Sequence, residues 1–167
     1  LKDYEGARTH LHSAVSLLEP LATKSPENAG YQRELGRAYY TIATLSTWPK
    51  GETETLQKAD LALSIAIQQD PQNPTLLIDR SWVRRWLNRE REGFQDMYRA
   101  VELGATDGVL RAQVSWELLF GGRFGAEKPD LKTVLEHARK AVSLAPQSGF
   151  ARSVLARGLD MSGNPVE

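Results

Sequence analysis

The sequence predicts an all-α chain, a stack of antiparallel helix pairs with about eight helices, and three observations carry that expectation. One composite spacing recurs along the chain: a small residue, a bulky apolar residue four places on, a small residue three further, then proline five beyond. The end markers of its cleanest copies, Pro71 and Ala105, stand 34 residues apart. Apolar residues elsewhere are spaced by three and four without sustained alternation, so nothing reads as a strand.

Ala59, Leu63, Ala66 and Pro71 give the fullest copy. Gly93, Met97, Ala100 and Ala105 hold the same places with alanine in place of proline, and Val134, Ala138, Ala141 and Pro146 exchange the sizes of the first two. Ala14, Leu18, Leu21 and Pro26 make a looser copy near the start. From Pro26 to Pro71 the interval is 45, and from Ala105 to Pro146 it is 41. The excess falls where turn-formers collect, at Ser46–Glu52 and Gly121–Pro129, which read as lengthened inter-helix loops.

A second pattern follows each end marker, apolar then small then aromatic or apolar. Leu35, Gly36 and Tyr39 fit it closely; Leu155, Ala156 and Leu159 fit it near the C-terminus; Val114, Ser115 and Leu118 fit fairly. Arg80, Ser81 and Arg84 fit poorly. Small residues let paired helices approach, and larger ones one turn away fill the space between.

In chain order the helices are expected near 2–24, 28–46, 54–69, 74–88, 90–103, 108–120, 129–144 and 149–161. Pro20 inside the first is expected to kink it or end it early, because it lacks the N–H that an interior turn uses. Asp70-Pro71-Gln72-Asn73-Pro74 and Ala145-Pro146-Gln147-Ser148-Gly149 are breaks.

Composition removes several functions. The hydrophobic fraction is 41% and the charged fraction 25%, ordinary for a folded chain. Lysine plus arginine and aspartate plus glutamate are both 21, so the formal net charge is zero and no basic excess argues for nucleic acid. With no cysteine there are no disulfides, thiolate metal sites or thiol nucleophiles. No apolar run approaches the ~20 residues that span a bilayer, so no membrane insertion is expected of this segment.

No constellation reads as catalytic, and no cofactor is expected. His10 and His12 are two apart, pointing apart on a helix, and His137 is remote, so they read as surface histidines rather than metal ligands. Gly121-Gly122-Arg123-Phe124-Gly125 lacks the strand before and the Gly-Lys-Ser/Thr ending of a phosphate loop. Arg84-Arg85 with Asn88-Arg89-Glu90-Arg91-Glu92 reads as a solvated turn of mixed charge between paired helices. No serine lies in a nucleophile elbow.

The repeats resemble the tetratricopeptide repeat (TPR) family over nearly the whole chain. The run Leu17-Leu18-Glu19-Pro20-Leu21-Ala22, with Ser25-Pro26-Glu27-Asn28 and Tyr31-Gln32-Arg33-Glu34-Leu35, is also similar to the repeat tails of bacterial eukaryotic-like Ser/Thr kinases, although the kinase motifs themselves are missing. The family resemblance implies one right-handed α-solenoid domain over 1–167. It divides into a half-repeat at 1–27, repeats at about 28–73, 74–107 and 108–148, and a terminal helix at 149–161. The chain begins at Leu1 already in helical pattern, which suggests a piece of a longer protein.

The resemblance also implies that the first helix of each repeat lines a concave groove for a protein or peptide partner. Mapped residue by residue, that gives Arg33, Arg37 and Tyr40, then Ile78, Trp82, Arg85 and Trp86, then Gln113, Trp116 and Phe120, and finally Arg157. Three of the four tryptophans fall in this set, either as an aromatic groove or as filling between repeats. Arg33 and Arg37 suit part of the carboxylate clamp found in some family members, but Asp79, Val109 and Gln113 break it. The expected function is a protein–protein interaction scaffold in a bacterial, cytoplasmic protein. The alternative is a structural or regulatory spacer, or a self-association domain, attached to a kinase or transcription regulator; an uncapped first half-repeat favours self-association.

Overall fold

The computed structural model describes residues 4–46, 52–104, 106–120 and 131–163. The helices are α1 (Tyr4–Lys24), α2 (Ala29–Ser46), α3 (Thr53–Gln69), α4 (Pro74–Trp86), α5 (Glu90–Leu103), α6 (Gly108–Phe120), α7 (Leu131–Leu144) and α8 (Gly149–Met161). No strand occurs among the described residues. Within the described residues the expected ends hold to within two residues, and the expected starts at 2 and 129 lie outside them. Both stretches expected to be long loops and the end marker Ala105 lie wholly or largely outside the described residues.

The even-numbered helices share one starting device, a short polar side chain that accepts from the backbone N–H groups left open in the first turn. Asn28 accepts from Tyr31 N at 3.1 Å, Asn73 from Thr75 N at 3.1 Å and Ser148 from Ala151 N at 3.2 Å. Asp107 accepts from both Val109 N and Leu110 N at 2.9 Å. Pro74 adds a preset φ at the start of α4. Between α4 and α5 the chain turns through Asn88 at φ 58°, where Arg89 N reaches back to the Arg84 carbonyl at 2.8 Å. Pro20 does not end α1, which runs on to Lys24 with Pro20 on its exposed side.

The chain divides into two compact units, Leu1–Asp96 and Met97–Glu167. In the first, α1, α2, α3 and α4 pack in succession, and α2 also touches α4. Its core gathers Val15, Ala22, Leu35, Tyr39, Ile42, Leu56, Ala59, Leu63 and Val83. The repeat spacing has its physical cause at the crossings. A Cβ on Gly36 would stand 2.7 Å from Leu63 Cγ and 3.2 Å from the Ala59 carbonyl oxygen, so α2 and α3 meet backbone to side chain. A Cβ on Gly93 would stand 2.9 Å from the carbonyl oxygen of Ser81, itself fully buried. Arg80-Ser81-Arg84 is therefore in register in spite of its composition, with Ser81 as the small residue of the crossing. In the second unit, α6, α7 and α8 pack on one another, and Ala112, Ala138, Ala141, Ala151 and Val154 form their common core.

Candidate interaction surface

In the first unit, α2 and α4 present the expected groove-side residues together. Arg37, Tyr40, Thr41, Leu63, Asp79 and Trp82 line a depression of about 200 Å³. At its side Arg33 Nε donates to Asp79 Oδ2 at 2.7 Å, so the acidic residue that breaks the clamp also occupies one of its two arginines. Arg37 is exposed and only loosely held, 3.6 Å from Glu34.

Three expected positions are less available. Ile78 and Arg85 are 6% and 5% exposed, too buried to meet a ligand. The Arg85 guanidinium carbon stands 5.2 Å from the Trp82 ring centroid and 5.8 Å from that of Phe94, so its charge faces aromatic π-faces rather than a groove. Trp86 is half-buried against the core of the first unit, while Trp82 keeps part of its ring on the depression.

In the second unit, α6 and α8 carry a different surface. Trp116 lies 4.2 Å from Phe120 and 6.1 Å from Phe150 between ring centroids, all tilted, the offset geometry aromatic pairs prefer. Trp116 is 38% exposed, Phe150 41% and Val109 52%. Gln113 lies half-buried on the same helix, and Arg157 is exposed on α8, 3.6 Å from Asp160. Sequence mapping placed Trp116, Phe120 and Arg157 here but missed Phe150. Its place, two residues past the Ser148 cap, was the available signal.

Sequence reasoning also missed an ionic cluster in the first unit. Arg80 grips Asp96 with two hydrogen bonds of 2.6 and 2.8 Å and donates to Ser64 at 3.1 Å. Arg84 donates to Asp96 at 3.0 Å and to Asp60 at 3.1 Å. Arg89 bridges Asp60 at 2.6 Å and Glu92 at 2.5 and 2.7 Å. The side chains of Arg80, Arg84, Asp60 and Asp96 are all 15% exposed or less. The segment Arg84–Glu92 is thus no freely solvated turn, because α3 and α5 bring acids to its arginines. Arg89, followed by Arg84 and Arg80, holds the Glu92 carboxyl below the usual carboxylate range.

His137 is half-buried with Tyr98 beside it, ring centroids 6.2 Å apart, and Arg111 Nη1 3.5 Å from its Nδ1. Burial first, then the Arg111 charge, lowers its pKa and favours the neutral ring. Among the described residues no group of three or more His, Asp or Glu is placed to hold a metal, and no helix is long and apolar enough to cross a membrane.

No protein-family model matches the chain, and no curated protein matches it. Solved structures do. TTC0263, described as a thermophilic TPR protein in Thermus thermophilus, aligns with TM-score 0.72 and 20% identity, over 90% of this chain and 74% of that one. The fold is tetratricopeptide-like. MamA aligns at TM-score 0.67 and 13% identity over 98% of this chain and 86% of its own. YrrB, described as a TPR protein with an unusual peptide-binding site, aligns at 0.62 and 17% over 95% and 73%. Identities this low speak for the fold alone.

Proposed function

We propose that this TPR-like chain is a non-enzymatic protein-interaction scaffold that holds a peptide or helix of a partner protein on its even-numbered helices. The observation that carries the reading is the aromatic surface of α6 and α8. Trp116 and Phe150 leave over a third of their surface in water on helices whose other faces are well packed, and exposed aromatic clusters are where binding energy concentrates. The depression between α2 and α4 is a second, more polar contact, suited to one side chain. A TPR-like fold supports the reading, as does a neighbour of that fold described with a peptide-binding site.

Selection of peptides from a random displayed library against the chain tests it. Retained peptides should bind Trp116→Ala and Phe150→Ala at least tenfold more weakly, since truncating a central aromatic anchor costs roughly 2 kcal/mol or more. Peptides that bind both variants as well as the parent would place the site elsewhere.

A further inference from the structure

In the first unit α1 and α3 both pack on α2 and not closely on each other. An open cavity of about 620 Å³ lies between them with α2 as its floor, a size that takes small molecules. Leu35, Ala62 and Ile65 give it a largely apolar lining. Its polar groups decide what it can hold. Gln32 on the floor is only 5% exposed, and its Nε2 donates to the Ala22 carbonyl at 3.1 Å, which fixes the other end of the amide as the acceptor. That Oε1 has no hydrogen-bond partner among the described residues, although buried polar groups normally find one. Glu19 on α1 accepts the Tyr39 hydroxyl through one carboxylate oxygen, and the second has no partner among the described residues. Burial, then the hydrogen bond to Glu19, raises the Tyr39 hydroxyl above the ordinary phenol range, so the proton stays with the tyrosine. The donors are already engaged: Tyr39 on Glu19, the Thr23 hydroxyl on the Glu19 carbonyl at 2.8 Å, and Lys58 with Glu54 at 3.3 Å. The hydrogen-bonding capacity left in the cavity is therefore acceptor only, with a carboxylate at one end.

We propose that this cavity binds a small linear amphipathic amine, with its ammonium on the Glu19 carboxylate, its aliphatic body over Leu35, Ala62 and Ile65, and a second N–H or O–H donor on Gln32 Oε1. The order of groups along the floor sets this pattern. Gln32, Leu35 and Tyr39, three and four apart, form one stripe of α2. Gln32 and the Tyr39–Glu19 pair thus stand roughly 10 Å apart along the helix, with an apolar side chain between them. Other ligand classes fit less well. A carboxylate would bring its charge against that of Glu19 and would find no unengaged donor. A plain hydrocarbon would cover the lining but would take water from two acceptors and return no hydrogen bond. An amine supplies what both ends need.

Isothermal titration calorimetry of the chain with four eight-carbon probes tests it: aminooctanol with its amine and hydroxyl at opposite ends, octylamine, octanol and octanoate. Saturable binding is expected, tightest for aminooctanol, with octanoate at least tenfold weaker than octylamine. Glu19→Gln, an exposed change that keeps an acceptor for Tyr39, should weaken both amines at least tenfold and leave octanol unaffected. Gln32→Met, of similar length without an acceptor, should erase the preference for aminooctanol over octylamine. Because Gln32→Met also gives up the bond to Ala22, the Glu19→Gln result stands on its own if that variant unfolds. No saturable binding of aminooctanol, octanoate binding as tightly as octylamine, or amines indifferent to Glu19→Gln would overturn the proposal. Probe binding that weakens as the protein is concentrated would also overturn it, by giving the cavity to a second copy. Trp116→Ala, in the other unit, should leave amine binding unchanged, which separates this site from the aromatic surface.

Discussion

Helices α4 and α6 carry the same sequence spacing 34 residues apart. Arg80, Ser81, Trp82 and Arg84 of one correspond, 34 residues on, to Val114, Ser115, Trp116 and Leu118 of the other. The small residue is the same, and both serines are fully buried, Ser81 where α4 meets Gly93 of α5. Around it the interiors differ. In α6, Val114 and Leu118 are buried apolar side chains; in α4, Arg80 and Arg84 take those places and are neutralised by Asp60, Glu92 and Asp96. Close approach of backbones therefore sets the repeat, while the chemistry filling the space is free to change if every buried charge finds its partner. The tryptophans differ too: Trp82 lies half-buried beside Arg85, whereas Trp116 reaches solvent.

The largest expected effect comes from breaking the ionic interior. Asp96→Asn leaves two nearly buried arginines short of a counter-charge and should cost about 3–5 kcal/mol of unfolding free energy in urea titrations. Converting the interior toward that of α6, with Arg80→Val, Arg84→Leu and Asp96→Leu together, should cost less than the single change. A triple variant weaker than Asp96→Asn would show that the cluster stabilises by more than mutual compensation. Leu118→Ala, at the α6 counterpart of Arg84, should cost about 3 kcal/mol through lost burial and a cavity.

Smaller effects sharpen the contrast between the tryptophans. Trp82→Ala should cost about 2 kcal/mol and Trp116→Ala less, about 1 kcal/mol, since the first ring is the more buried and alone loses a cation–π contact, while the second loses its tilted contacts with Phe120 and Phe150. Equal costs in thermal melts would remove the distinction between a packed and a presented ring. The smallest is a pH slope. Glu92's pKa is depressed in the fold, so its contribution is present above the ordinary carboxylate range and fades as pH falls through its folded value. Glu92→Gln should flatten the acid limb of stability against pH between about pH 5 and 3; an unchanged limb would assign the acid sensitivity to other carboxylates.

The helices were legible because their ends are written locally. Pro71, Pro74 and Pro146 break the chain, and Asn28, Asn73, Asp107 and Ser148 restart it, each needing only neighbours within three residues. The small-residue crossings were legible from spacing. The ionic cluster was not, because its acids sit on other helices: Asp60 is 24 residues before Arg84 and Asp96 is 12 after it. A chain read in order shows two misplaced arginines and not what answers them. The same limit applies to the surface. Trp82, Trp86 and Trp116 share one helical role, yet only the assembled helices determine that Trp86 packs on the core and Trp116 meets Phe150.

The arginine–carboxylate cluster also bears on how the first unit responds to heating. Hydration of charged groups becomes less favourable as temperature rises, so the cost of having withdrawn Arg80, Arg84, Asp60 and Asp96 from water shrinks. The alanine- and valine-rich core shared by α6, α7 and α8 receives no comparable relief, because apolar burial gains little more at high temperature. Warming should therefore shift the balance of stability toward the α3–α4–α5 packing, the region whose sequence looks least suited to an interior.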